Sequence, residues 1–160
     1  MKKRISILLT LAALAVVAGA CSFSTANMSS LKTSKDKEGK QETSAFKAGE
    51  TLYAGAVISN AGSKTTTKFA LVAEDAPGLK KGDVVPGTEV KVDLPSSGTA
   101  TLTLPIPAGH KGGKFTLTAD MLNETGEKKD SKSVPITIEA APAPPPSAAP
   151  DDKDEDKDDN

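Results

Sequence analysis

An all-β sandwich is the fold class this sequence predicts, and three observations predict it. Between positions 45 and 140, apolar residues recur with period two in separate short runs, the pattern of strands with one buried face. Clusters of Gly, Pro, Asn and Ser separate the runs at short, regular intervals, as in antiparallel sheets built from short strands. The runs are rich in Thr and Val, which suit a pleated, half-buried surface. A single hairpin is marginal in water, so these strands must share one core.

The chain opens with a segment that stands outside that fold. Met1-Lys2-Lys3-Arg4 is basic, Ile5 to Val17 is apolar apart from Ser6 and Thr10, and Ala18-Gly19-Ala20 is a run of small residues. This is the layout of a secretory signal peptide over residues 1–20. Its apolar run is shorter than the roughly 18–20 residues a spanning helix needs. Cleavage between Ala20 and Cys21 makes the only cysteine the first residue of the mature chain. A lone cysteine in an exported protein has no internal disulfide partner and calls for another explanation. Val17-Ala18-Gly19-Ala20-Cys21 resembles the lipobox of bacterial lipoproteins, with Ala18 where such families prefer Leu. The resemblance implies thioether lipidation of Cys21 and acylation of its amine, and two or more acyl chains make a stable anchor. Because Ser22 rather than Asp follows Cys21, it also implies the outer membrane if the host is Gram-negative. The same small residues suit an ordinary signal peptidase, which would leave Cys21 unmodified.

Residues 22–44 are mostly Ser, Thr, Lys, Asp, Glu, Gly and Gln, with almost nothing apolar after Leu31. Such a composition buries too little surface to offset chain entropy. Residues 21–44 therefore read as a lipidated cysteine and a disordered N-terminal spacer. A flexible chain of that length has an r.m.s. span of roughly 25 Å, and about 80 Å fully stretched.

The predicted domain covers 45–140. Leu52, Ala54, Ala56 and Ile58 form its first long apolar set. The alternating set, Tyr53, Gly55 and Val57, is less polar than an outward face usually is. Thr67, Phe69 and Leu71 follow, then Val90, Val92 and Leu94, then Ala100, Leu102 and Leu104. The last two sets are Phe115, Leu117, Ala119 and Met121, and Val134, Ile136 and Ile138. Phe46, Phe69, Phe115 and Tyr53 are the aromatics expected to fill the core. Pro135 cannot donate to a ladder, so the final strand should bulge there or lie at an edge. Glu74–Asp83 and Ala108–Gly113 are the long connections, and the first loops to consider for binding.

Gly113 to Asp120, a polar turn and Val134-Pro135-Ile136-Thr137-Ile138 resemble the last hairpin of bacterial immunoglobulin-like domains, as does the approach Gly49-Glu50-Thr51-Leu52 into the first long strand. The resemblance implies a single immunoglobulin-like β-sandwich. The chain lacks the paired cysteines and tryptophan of antibody-type domains, and Phe115 stands where a corner tyrosine would be expected. Such a fold does not by itself carry a function.

Residues 141–160 form an Ala/Pro-rich linker and an acidic C-terminal tail. Pro142, Pro144, Pro145 and Pro146 favour an extended spacer. Residues 151–160 carry seven acidic side chains against two lysines, a run that self-repels and stays disordered. Asp152, Asp154 and Asp156 have the first, third and fifth spacing of a calcium loop. Lys157 stands where that loop needs Gly, and no bidentate Glu follows. Weak cation binding is the most these three support. Residues 45–140 are electrically balanced, with 11 Lys against 11 acidic residues. Neither that balance nor an export signal suits nucleic acid.

No catalytic constellation emerges. His110, the only histidine, sits in a glycine-rich turn without a companion His or Cys for a metal. Glu74-Asp75, the best carboxylate pair, sits beside Pro77-Gly78 and reads as a solvated turn. No positioned base and nucleophile occur together, so no catalytic residue, metal or other cofactor is expected. Carbohydrate sites favour exposed aromatic platforms, and here Trp is absent and Tyr53 lies inside a strand. The reading is a non-enzymatic, membrane-anchored lipoprotein of the bacterial envelope, docking an envelope protein through loops or a sheet edge. The alternative is a ligand-binding module for cell-wall glycan or divalent cations.

Overall fold

The computed structural model describes residues 26–142. The signal segment, Cys21 and the acidic tail with Asp152, Asp154 and Asp156 lie outside the described residues. The described residues form eight strands: β1 (Asn27–Ser34), β2 (Ala45–Lys47), β3 (Thr51–Ser59), β4 (Thr65–Asp75), β5 (Val90–Leu94), β6 (Gly98–Pro105), β7 (Gly113–Leu122) and β8 (Lys128–Glu139). They make two sheets, one ordered β1-β3-β6 and the other β2-β8-β7-β4-β5. The all-β sandwich is therefore present as expected.

Alternation explains which side chains meet between the sheets. Leu52, Ala54, Ala56 and Ile58 of β3 point inward, as do Phe69 and Leu71 of β4, and Phe115, Leu117, Ala119 and Met121 of β7. Phe46, Phe69 and Phe115 are the large aromatics of this core, all essentially unexposed. Burying each contributes on the order of 2–3 kcal/mol. Tyr53 is the exception to the expected aromatic core: it has the opposite parity in β3 and is only half-buried.

The domain begins earlier than the sequence pattern indicates. Residues 27–34 are not spacer but strand β1, antiparallel to β3. The reason they escape notice is a register shift between Met28 and Ser30. The extra residue of a bulge puts consecutive inward residues three apart instead of two. Met28 and Leu31 are both buried, yet they do not alternate. Beyond β1, residues 35–44 are held by hydrogen bonds rather than by apolar burial. The Asp36 carboxylate accepts from the backbone N–H groups of Lys40 and Gln41, at 2.9 and 2.5 Å. Thr33 and Thr43 close the base of this excursion, the Thr43 N–H donating to the Thr33 carbonyl at 3.0 Å.

Strand β2 is three residues long and parallel to β8, too short to declare a period. The connection expected over Glu74–Asp83 is also different. β4 continues to Asp75, and the chain then returns alongside it, the Val85 N–H donating to the Leu71 carbonyl at 2.8 Å. At Pro135 the edge alternative holds. Pro135 pairs with Thr116 on one side only, β2 reaching β8 no earlier than Thr137, and the register shift in this hairpin lies near Lys128.

Candidate functional site

On the outward face of the three-stranded sheet, strand register assembles a recess. Three rows cross it: Ser34, Tyr53 and Thr103; Lys32, Gly55 and Thr101; Ser30, Val57 and Thr99. Gly55 is the centre of this grid, so the middle of the face has no side chain. Tyr53 and Val57 rise on either side of it along β3. Val57 is 37% exposed and is one of two large apolar side chains left open among the described residues. The excursion after β1 overhangs the Tyr53 end, bringing Lys37, Glu38 and Gly39 to the rim. The resulting cavity is about 320 Å³, at the small end of ligand pockets.

The rim is rigidly built. Backbone donors aimed at Asp36, that of Lys40 foremost, hold its carboxyl below the ordinary carboxylate range. Glu50, at the start of β3, is likewise held low, first by a side-chain hydrogen bond from Lys35 at 2.8 Å and also by the Lys47 N–H. Lys32 and Glu42 neutralise one another across the wall. The central row, Lys32, Gly55 and Thr101, has Lys32 as its one charged member, and β3 and β6 bring no charge to the recess. The hydroxyls of Tyr53, Thr99, Thr101 and Thr103 have no hydrogen-bond partner among the described residues.

The same strand β6 supplies a second feature, its outer edge. One residue past β6, the Ile106 N–H donates to the Glu50 carbonyl at 2.9 Å. Backbone groups two residues apart point the same way, so Gly98, Ala100, Leu102 and Leu104 bond to β3. Thr99, Thr101 and Thr103 aim their N–H and C=O groups away from the sheet, and no described strand pairs there. Pro105 shares that outward parity, consistent with its missing donor. Other edges are blunted. β1 carries a bulge and gives its Met28 N–H to Asp130 at 2.8 Å. β2 is three residues long, and β5 exposes Lys91 and Asp93. β6 has no charge and no bulge. These are the devices by which edges avoid unwanted pairing, and β6 lacks them except for the terminal proline.

His110 and Glu74, considered for chemistry from sequence, lie elsewhere in the fold. His110 Nδ1 accepts from the Gly112 N–H at 3.0 Å, and its ring meets Phe115 edge-on at 5.7 Å. Gly112 and Gly113 have positive φ, and a Cβ on Gly112 would lie 2.8 Å from the Ala140 nitrogen. This glycine-rich turn is thus a packing joint against the end of β8. Glu74 belongs to β4 rather than to a turn. Its carboxyl is held low, first by Lys81 and then by the Thr116 hydroxyl, the wrong direction for a general acid. Among the described residues no three His, Cys, Asp or Glu side chains converge on a metal position. Membership of β3 does not say which face Tyr53 takes, so the strand alone does not reveal the recess. The unusually apolar outward set Tyr53, Gly55 and Val57 was the available signal.

No protein-family model matches the chain, and no curated protein matches it. Solved structures give remote likenesses. A Niemann-Pick type C2 protein from Japanese carpenter ant aligns at 12% identity and a TM-score of 0.45, over 74% of this chain and 96% of that one. AvmM, which catalyses macrocyclization in alchivemycin A biosynthesis, aligns at 12% identity and 0.39, over 72% and 90%. A family 123 glycoside hydrolase from Clostridium perfringens aligns at 13% and 0.34, over 69% of this chain and 27% of that one. Identities this low carry no residue role across.

Proposed function

We propose that this chain is a lipid-anchored, non-enzymatic protein of the bacterial envelope, whose domain docks a partner by strand addition at β6. The unblunted edge at Thr99, Thr101 and Thr103 is the observation that carries the reading. In β-augmentation an extended segment gains main-chain hydrogen bonds from such an edge, and alternate side chains supply specificity. The strand order supports an immunoglobulin-like kinship. In that reading β1, β3 and β6 would take the A, B and E positions, and β4, β7 and β8 those of C, F and G, with β5 added beside C. In the seven-stranded form a strand D covers E. Here no described strand pairs with the outer edge of β6, so an incoming strand would complete that sheet. Anchoring through Cys21 rests on the lipobox-like run, and Ser22 favours the outer membrane in a Gram-negative host. Confinement to a membrane raises the effective concentration of partner and domain.

The test has two parts in the native, anchored protein. Cys21→Ala should move it from the membrane to the soluble fraction. A photo-crosslinking residue at position 101 should give a discrete adduct that Thr103→Lys abolishes, and one at position 91 on β5 should not. Equal labelling from both edges, or none from 101, overturns docking at β6. Unchanged fractionation of Cys21→Ala overturns the anchor.

A further inference from the structure

We infer that the recess centred on Gly55 is a binding site for a neutral saccharide. Glycine inside a strand costs roughly 0.5–1 kcal/mol relative to alanine, and normally answers a conformational need or a close approach. Gly55 has no conformational need: its φ is not positive, and an added Cβ would meet Thr99 Cγ2 at 3.5 Å, an ordinary contact. The fold tolerates a side chain there. What glycine supplies is an open saddle in the middle of an exposed face.

The surroundings of that saddle define its occupant. A half-buried tyrosine on one side offers an aromatic face with a polar tip, suited to the apolar face of a sugar ring. Val57 gives apolar contact on the other side. The unpartnered hydroxyls of Thr99, Thr101 and Thr103 stand in a row on alternate residues of β6, roughly 7 Å apart. Each hydroxyl can donate and accept, matching a ligand dense in hydroxyls. Of the charges that line the recess, Lys32 and Glu42 are paired and Lys37 and Glu38 are of opposite sign, so the site has no net charge, which disfavours phosphate, nucleotide or cation. Backbone donors to Asp36 already shape the rim, so less ordering entropy is lost when a ligand binds against it. This site uses the face of β6, whereas strand addition uses its backbone edge, and neither depends on the other.

The molecule carries its own reporter. It has one tyrosine and no tryptophan, so intrinsic fluorescence comes from Tyr53 alone. The mature chain, made without lipid as Cys21→Ser, is titrated with tetra-N-acetylchitotetraose, cellotetraose and maltotetraose, to about 10 mM. At least one should give a saturable change in emission, with a Kd of about 0.1–1 mM. Backbone amide shifts should centre on residues 53–57 and 99–103. Gly55→Val should abolish binding while leaving the protein folded and no less stable, a combination that a purely structural glycine would not give. Tyr53→Phe should weaken binding several-fold, keeping the ring and losing the hydroxyl. The inference is overturned if none of the three sugars perturbs emission or the amides, if Gly55→Val still binds, or if only a charged peptide such as hexaglutamate produces the response. A missing adduct at position 101 would leave this result untouched.

Discussion

Thr67 is fully buried in β4, and its hydroxyl finds no hydrogen-bond partner among the described residues; Thr65 shares the condition. A shielded hydroxyl without a partner costs on the order of 1–3 kcal/mol. Valine has nearly the same shape and no polar atom. Thr67→Val is therefore expected to stabilise the domain by about 1 kcal/mol, read as a higher denaturant midpoint at unchanged slope. A loss of stability instead would mean that water or a weak bond serves the hydroxyl. Thr67 also shows what sequence reading does well. Its parity with Phe69 and Leu71 placed it inward, although its chemistry alone would have placed it outside. Tyr53 shows the reverse, since strand membership says nothing about face until parity is applied.

Six of the eight strands were legible because alternation survives along each of them. β1 was not, because the shift between Met28 and Ser30 breaks the period, and β2 was not, because three residues contain none. The recess was beyond reach for a different reason. Its rows join residues about 20 to 70 positions apart, Lys32 with Gly55 and Thr101, and register between strands is not written in any one of them. The boundary has a direct test. A chain beginning at Ala45 lacks β1 and the Asp36 excursion, and leaves Leu52, Ala56 and Ile58 without the cover of Met28 and Leu31. It is expected to lose cooperative thermal unfolding, whereas a chain beginning at Ala26 keeps it.

Across the whole molecule, acid is the expected weakness. Asp36 and Asp130 are both held below the ordinary carboxylate range chiefly by backbone N–H donors, from Lys40 and Met28 respectively. Glu50, Glu89 and Asp93 are held low by lysine partners. A carboxyl whose value is lower in the fold than in the unfolded chain adds stability above its unfolded value. That contribution is lost as pH falls through the folded value. Thermal stability should therefore be level from neutrality to about pH 5 and decline below about pH 4. Added salt should change it little near neutrality, since the lysine pairs are exposed and contribute little. A midpoint unchanged at pH 3 would refute this.

The early start of β1 sets a distance. Between Cys21 and Asn27 the backbone can extend no more than about 20 Å, a quarter of the reach of the spacer expected from composition. A lipid at Cys21 would hold the Asn27 end, with the turns at 60–64, 95–97 and 123–127, close above the headgroups. β8 runs from that end to the other, so its Glu139 end lies about 40 Å farther out. On so short a leash, an anchored domain would search a thin layer parallel to the membrane: its encounters would be those of a lateral diffuser, with neighbours in the same sheet of lipid.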